Sequence, residues 1–535
     1  YSEIIIRELA NHYKNEESIV AWQIDNEFGH EGSDLCYCDL CKKEFNEYLK
    51  EKYDNDINKL NETWGTIFWS QTYNTFEEIP LPKPTITTHN PSLRMEHERF
   101  RSESIEKYAK FQVDLLKEIL GKDSVIIHDF SGGYFDKSYD FSKVGKHMDV
   151  VAYNNYPVWG GQKEPIPAWE IACGLDYMRG IKGQNFWITE AIMGAQGHDV
   201  IGYLPRPRQA KMWSYQGIAH GCSSLMYFRY RGATKGAEQY CYGIIDQDNV
   251  KRRKFYEVQS FFKEMKENEA LTQSEVKSDV AVVYDYESMA SFRIQRQSFL
   301  MDYKQEVYRL YRPFYKKNIN MDVIPSDSDF DKYKVLLLPV MIVHKKEVQD
   351  KVRKFVSGGG TVVFTYRTAV KDYYNNLTLG QFNPTYYTDL VGGYVEEVES
   401  FQDDQVAFLI GNEEFEGING TATVFRDMLK TTTAKTLFKY EDEFFEDLAA
   451  VTLNEYEGGK VYYIGSGADN TIMDAITNKI INESNLDAIE SEEGVEVVRR
   501  SLNNEDYYFV MNHTSDEKKF RNEILKAYEA KIVKA

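Results

Sequence analysis

Two glutamates stand where acid/base chemistry could be done. Glu27 follows Asn26 at the end of the apolar run Ile19-Val20-Ala21-Trp22-Gln23-Ile24, and Glu190 follows Asn185-Phe186-Trp187-Ile188-Thr189. Carboxylates at the C-terminal ends of parallel barrel strands face a common mouth. There, one carboxyl held protonated can donate to a leaving oxygen while the other attacks or activates water, the chemistry that breaks a glycosidic bond. The Asn26 amide could hold a sugar hydroxyl beside the reacting carbon, in a hydrogen bond that tightens in the transition state. The plainer alternative is that each glutamate caps a strand or joins an ion pair; its recurrence after two apolar strands weighs against that. Nine residues after Glu27 begins a second group, Cys36, Cys38 and Cys41. Structural zinc takes four ligands in a tetrahedron, so three local thiols are an incomplete set. Free or buried cysteines are the alternative, since a disulfide within Cys-x-Cys is strained. His30 and Asp34 are weak substitutes for a fourth ligand.

These residues need a frame to hold them. Apolar runs at 18–25, 124–130, 149–156, 185–190 and 223–230 alternate with helical patterns such as "EFNEYLKEKY", "SIEKYAKFQVDLLKEIL" and "QAKMWSYQGIAH". Continuous apolar strands with helical crossovers indicate a parallel sheet covered on both faces. Five of them with polar residues at their C-terminal ends suit a (β/α)8 TIM barrel over residues 1–272, with a doubly wound open sheet as the alternative. A second α/β unit, 273–485, reads as a small Rossmann-like or flavodoxin-like domain. It has no G-x-G-x-x-G after its first strand, so a nucleotide site is not expected. Residues 486–535 alternate like an antiparallel sheet and read as a small C-terminal β domain, one that could continue past residue 535.

Bulk composition narrows the function. The chain has 535 residues, a net charge of −20 and 14% aromatic residues. Nucleic acid and anionic membranes are poor partners for such a charge, and a neutral substrate is more natural. No apolar run reaches the length needed to span a bilayer. Six cysteines, three clustered and three in apolar surroundings (Cys173, Cys222, Cys241), favour a reducing compartment and a cytoplasmic location. The chain opens on "YSEIIIRELANHY", which reads as mid-helix, so upstream sequence is expected.

Several motifs together carry a resemblance: "AWQIDNEFG", "NETWGTIFWSQTYNTFEEIPLP", "HNPSLRMEHERFRSES", "NFWITEA" and "PRQAKMWSYQGIAHGCSSLMYFRYRGATKGAEQYCYGIIDQDN". The chain resembles glycoside hydrolase family 42, the β-galactosidases of clan A, from the fourth barrel strand through the second domain. That resemblance implies an exo-acting retaining enzyme for terminal β-D-galactosyl residues, with Glu27 as acid/base and Glu190 as nucleophile. It implies sugar contacts from Asn26, Phe228 and Glu238, with Tyr156 a looser match, and a structural zinc on Cys36, Cys38 and Cys41 whose fourth cysteine lies upstream of residue 1. It also implies a homotrimer, assembled through a second domain that looks like a class I amidotransferase, and no catalytic cofactor. Three positions depart from the family pattern: Ala191 stands after the nucleophile where Gln is usual, His198 where Trp is usual, and Cys241 where His is usual. They alter the wall of the sugar pocket, so L-arabinopyranose, which lacks the 6-hydroxymethyl group, competes with galactose. Functions of other classes have less to rest on. A silent sugar-binding protein would need only the fold. A zinc-ribbon nucleic-acid binder would need a basic surface and a second Cys-x2-Cys pair. An amidotransferase would need a cysteine within residues 276–535, and there is none.

Overall fold

The computed structural model describes residues 1–133 and 135–535. Five strands form one parallel sheet in sequence order: β1 (Trp22–Gln23), β2 (Ile126–Phe130), β3 (Val150–Asn155), β4 (Phe186–Ala191) and β5 (Cys222–Leu225). Every residue of β2 is buried, as expected of a strand covered on both faces. The outer strands are shorter than the apolar runs suggest: β1 covers two residues of 18–25, and β5 stops at Leu225 within 223–230. Each has a sheet neighbour on one side only. Single backbone bonds continue past them, Ile24 N–H to Ile127 O at 2.9 Å and Phe228 N–H to Ala191 O at 2.9 Å. Backbone order therefore persists toward the mouth where the ladder ends.

The helices sit where the periodicity places them. The longest, Pro91–Leu120, begins with proline at its first turn, and the Asn90 side chain accepts from the Ser92 and Leu93 N–H groups. The helix Asp39–Lys52 carries the cysteines at its start. Phe45, Leu49, Tyr53, Leu60 and Trp64 pack under it as a separate small core.

The second unit has a parallel half, β6 (Val280–Tyr284), β7 (Met321–Pro325), β8 (Val335–Leu338) and β9 (Thr361–Thr365), in the order β9-β8-β6-β7, extended by Gly459–Ile464 beside β9. Beyond that lies an antiparallel extension built from residues 393–456, which the sequence reading did not anticipate. It includes the 13-residue strand Asn419–Thr431. The helix Ala168–Lys182 of the first unit packs on β7 through Gly180, where an added Cβ would lie 1.9 Å from the Val323 carbonyl oxygen. Only glycine permits that approach.

The C-terminal unit is a three-stranded sheet of Val495–Leu502, Glu505–Asn512 and Ala530–Lys534, with a separate small hairpin. Asn503 and Asn504 turn its first hairpin with φ of 53° and 64°, the left-handed pair of a type I′ turn. This sheet is tied to the barrel by charge. His220 Nδ1 meets Asp176 Oδ1 at 2.7 Å and its Nε2 meets Glu496 Oε1 at 2.9 Å, while His513 Nε2 reaches Glu496 Oε2 at 2.7 Å. Burial opposes charge on His220, but Asp176 and Glu496 prevail and lift it to about 9. Glu496 is lowered to about 2, its two histidines outweighing burial.

Candidate active site

The two glutamates reach the same end of the sheet. Glu27 lies just past β1 with φ of 41°, and Glu190 is the fifth residue of β4. Asn154, near the end of β3, links them. It is the register partner of Glu190, and its Nδ2 donates to Glu27 Oε1 at 3.0 Å. The Thr189 hydroxyl donates to Asn154 Oδ1 at 3.0 Å, which orients the amide with its N–H groups toward Glu27 and Asp129.

The surroundings of the two acids differ. Glu190 Oε2 accepts a short hydrogen bond from the Tyr156 hydroxyl. Burial pushes the Glu190 carboxyl above its ordinary range; the Tyr156 hydrogen bond pulls the other way, and the nearby Glu27 charge adds to the rise. Tyr156 keeps its proton well beyond its ordinary range because of burial and the Glu190 charge. Glu27 has His30 Nε2 3.8 Å from its Oε2.

The other sequence candidates line the same mouth. Asn26 is exposed beside Glu27. Phe228 lies under the Arg229 guanidinium, 4.2 Å from ring centre to carbon, and Arg229 pairs with Glu238. His198 Nε2 is 3.8 Å from Glu238 Oε1, and its ring meets Trp159 edge-on at 5.4 Å. Trp159 in turn meets Tyr156 at 4.8 Å, so Tyr156, Trp159, His198, Glu238 and Arg229 form a connected wall. Cys241 is buried behind it, with its thiol 3.9 Å from the Gly197 carbonyl oxygen.

The sequence reading missed Asp129 and Asn154 at the base of the site, with Arg229 in its wall. The signal was a polar group inside an apolar run, "IIHDF" and "VVAYNN", where a buried side chain must have partners. Burial raises Asp129 to about 7, against hydrogen bonds from the Glu27 N–H and Asn154. Burial lowers its neighbour His128 to about 4, so that imidazole is neutral.

The cysteines form a separate site. The sulfur atoms of Cys36, Cys38 and Cys41 all lie within 4.8 Å of one another. Cys38 caps the helix Asp39–Lys52, its Sγ accepting the Cys41 N–H at 3.5 Å, and that bond is the main cause of its fall to about 7. Burial is the main cause of the rise of Cys41 to about 12. Three converging soft donors on a helix start fit a thiophilic metal and could hold one. Neither substitute considered for the fourth ligand joins them: Asp34 is held by Arg101 at 2.5 Å, and His30 turns to Glu27.

Comparison with known proteins places this geometry. Three consecutive family models match: β-galactosidase over residues 1–268, β-galactosidase trimerisation domain over 278–487, and β-galactosidase C-terminal domain over 494–534. The chain is 30% identical to β-galactosidase BgaA of Clostridium cellulovorans, covering 97% of this chain and 78% of that protein. It is 31% identical to β-galactosidase LacZ of Heyndrickxia coagulans, over 95% of this chain and 75% of that one. Among solved structures, a β-galactosidase from Bacillus circulans sp. alkalophilus superposes with a TM-score of 0.92 at 28% identity, over 99% of this chain and 81% of that one. The five-stranded sheet is thus part of a TIM barrel, followed by a trimerisation domain and a C-terminal β domain, and the chain belongs to the glycoside hydrolase family 42 β-galactosidases.

Proposed function

We propose that this glycoside hydrolase cleaves terminal β-D-galactosides by double displacement, with Glu190 as nucleophile and Glu27 as acid/base. The observation that carries the reading is that both carboxyls stand at one end of the sheet, with Asn154 in register with Glu190 and its amide donating to Glu27 Oε1. Glu190, oriented by the Tyr156 hydroxyl, attacks the anomeric carbon as Glu27 gives its proton to the departing oxygen. Glu27 then takes a proton from the water that releases the sugar from Glu190. Asn26, Tyr156, His198, Phe228 and Glu238 are positioned to contact the sugar. The wall of His198 and Cys241 leaves galactose and L-arabinopyranose as competitors. A panel of nitrophenyl β-D-galactoside, α-L-arabinopyranoside, β-D-fucoside and β-D-glucoside tests this. Turnover of the galactoside fits the reading; turnover of the glucoside alone contradicts it.

Three finer features accompany it. Cys36, Cys38 and Cys41 would supply three thiolates to a structural zinc that stiffens the loop beside the mouth and takes no part in bond cleavage; their convergence within 4.8 Å supports this. Metal analysis should find zinc with the native protein and lose it in Cys38→Ser. The protein forms a homotrimer, supported by the trimerisation-domain match and by exposed apolar side chains there, such as Leu379 and Phe444. A cytoplasmic setting suits its six free thiols.

A further inference from the structure

Glu27 occupies an unfavourable backbone conformation for a side chain that must be held accurately. Its φ of 41° lies in the left-handed region, which non-glycine residues enter at a cost of order 1 kcal/mol. Such a conformation persists only where surrounding groups fix it. Two successive residues of β2 do so. Asp129 Oδ1 accepts the Glu27 N–H at 3.1 Å, and His128 Nε2 accepts the Phe28 N–H at 3.2 Å. His128 is held in turn, its Nδ1 bound to the Ile24 carbonyl at 2.9 Å. The second Asp129 oxygen, Oδ2, accepts from Asn154 Nδ2 at 3.2 Å, the same nitrogen that donates to Glu27 Oε1.

We propose that Asp129 is a positioning residue for glycosidic cleavage, holding Glu27 at the leaving oxygen by gripping its backbone N–H with one oxygen and its carboxyl, through Asn154, with the other. This rests on the reading of Glu27 as the proton donor. The side chain is buried, and the one imidazole nearby, His128 Nδ1 at 3.7 Å from Oδ1, is neutral. Asp129 therefore faces dipoles and not a cation. Once ionised, Asp129 accepts at both oxygens, whereas an asparagine accepts at one end and donates at the other. With Asn at 129, either the Glu27 N–H or the Asn154 amide meets a second donor. One arm of the grip is lost with the shape of the side chain unchanged.

The discriminating readout is leaving-group dependence. A displaced acid hurts only reactions that need the proton. For Asp129→Asn, kcat/KM on aryl β-D-galactosides should fall about tenfold to a hundredfold for a poor leaving group such as methylphenol. For the self-departing dinitrophenolate the fall should be about threefold or less. Inhibition by isopropyl thio-β-D-galactoside should be unchanged, because the sugar pocket is intact. Asn154→Ala removes the carboxyl arm from its other end and should show the same slope; it also keeps the test alive if Asp129→Asn does not fold. The double variant should lose no more than the worse single one, as expected of two residues in one chain of contacts. An equal loss across leaving groups, or no loss at all in folded protein, overturns the proposal. If the unaltered protein hydrolyses no β-galactoside, the reading of the site has failed instead.

Discussion

Replacing Tyr156 by phenylalanine removes one hydroxyl and leaves the ring. That hydroxyl donates to Glu190 Oε2, and the bond favours the ionised carboxylate against burial, which raises the acid. A hydrogen bond to a charged group contributes about 1.5–3 kcal/mol, and one pKa unit corresponds to about 1.4 kcal/mol. Glu190 is only half-buried, so the lower end of that range applies, equivalent to a rise of about one unit. The sign follows from the role. A nucleophile must be ionised, so the acidic limb of kcat/KM against pH is the limb Glu190 controls, and it should move about one unit toward neutral pH in Tyr156→Phe. The basic limb should stay. The assay is initial-rate hydrolysis of nitrophenyl β-D-galactoside from acidic to alkaline pH, with a melting curve at each end to show the variant is folded. A folded, active variant whose acidic limb does not move would refute the pairing of Tyr156 with an ionised nucleophile at Glu190.

Two further predictions concern the domain junctions. In the His220–Glu496 cluster, a histidine raised to about 9 stabilises fully below its ordinary 6.5 and loses that contribution as pH climbs through 9. Glu496, lowered to about 2, stabilises fully above its ordinary 4.5 and loses it as pH falls toward 2. The cluster therefore stabilises most between about 4.5 and 6.5. Glu496→Gln should cost about 3 kcal/mol at pH 6 and clearly less at pH 10, read from urea midpoints; an equal cost at both would contradict the pairing. Gly180→Ala would push a methyl group into the Val323 carbonyl, where 1.9 Å is available. It should cost about 3 kcal/mol or more, or abolish folding, and an unchanged melting temperature would contradict the packing.

The two candidate glutamates were readable because they sit at strand ends. Glu27 and Glu190 follow apolar runs, and a parallel sheet sends both to one side. The bases of the site were hidden for the complementary reason. Asp129 and Asn154 lie inside runs whose apolar neighbours dominate the pattern, and only the fold supplies their partners. The antiparallel extension was missed because strands such as Gly393–Ser400, "GYVEEVES", are largely solvent-facing and carry glutamates that weaken the alternation. The sheet at 495–512 was legible because its strands alternate along the sequence; the Asn503-Asn504 turn that joins them comes from the structure. The thiols were legible as a group, but spacing alone could not show that Asp34 is committed to Arg101.

The central claim is a covalent sugar on Glu190. A 2-deoxy-2-fluoro-β-D-galactoside with a dinitrophenyl leaving group slows both steps but lets the first proceed, so the intermediate accumulates. Intact-mass spectrometry followed by peptide mapping should find one fluorogalactosyl group per chain, on the peptide containing "NFWITEA" and attached to Glu190. An active enzyme that carries the label elsewhere, or is never labelled while it turns over the unfluorinated substrate, would contradict the account.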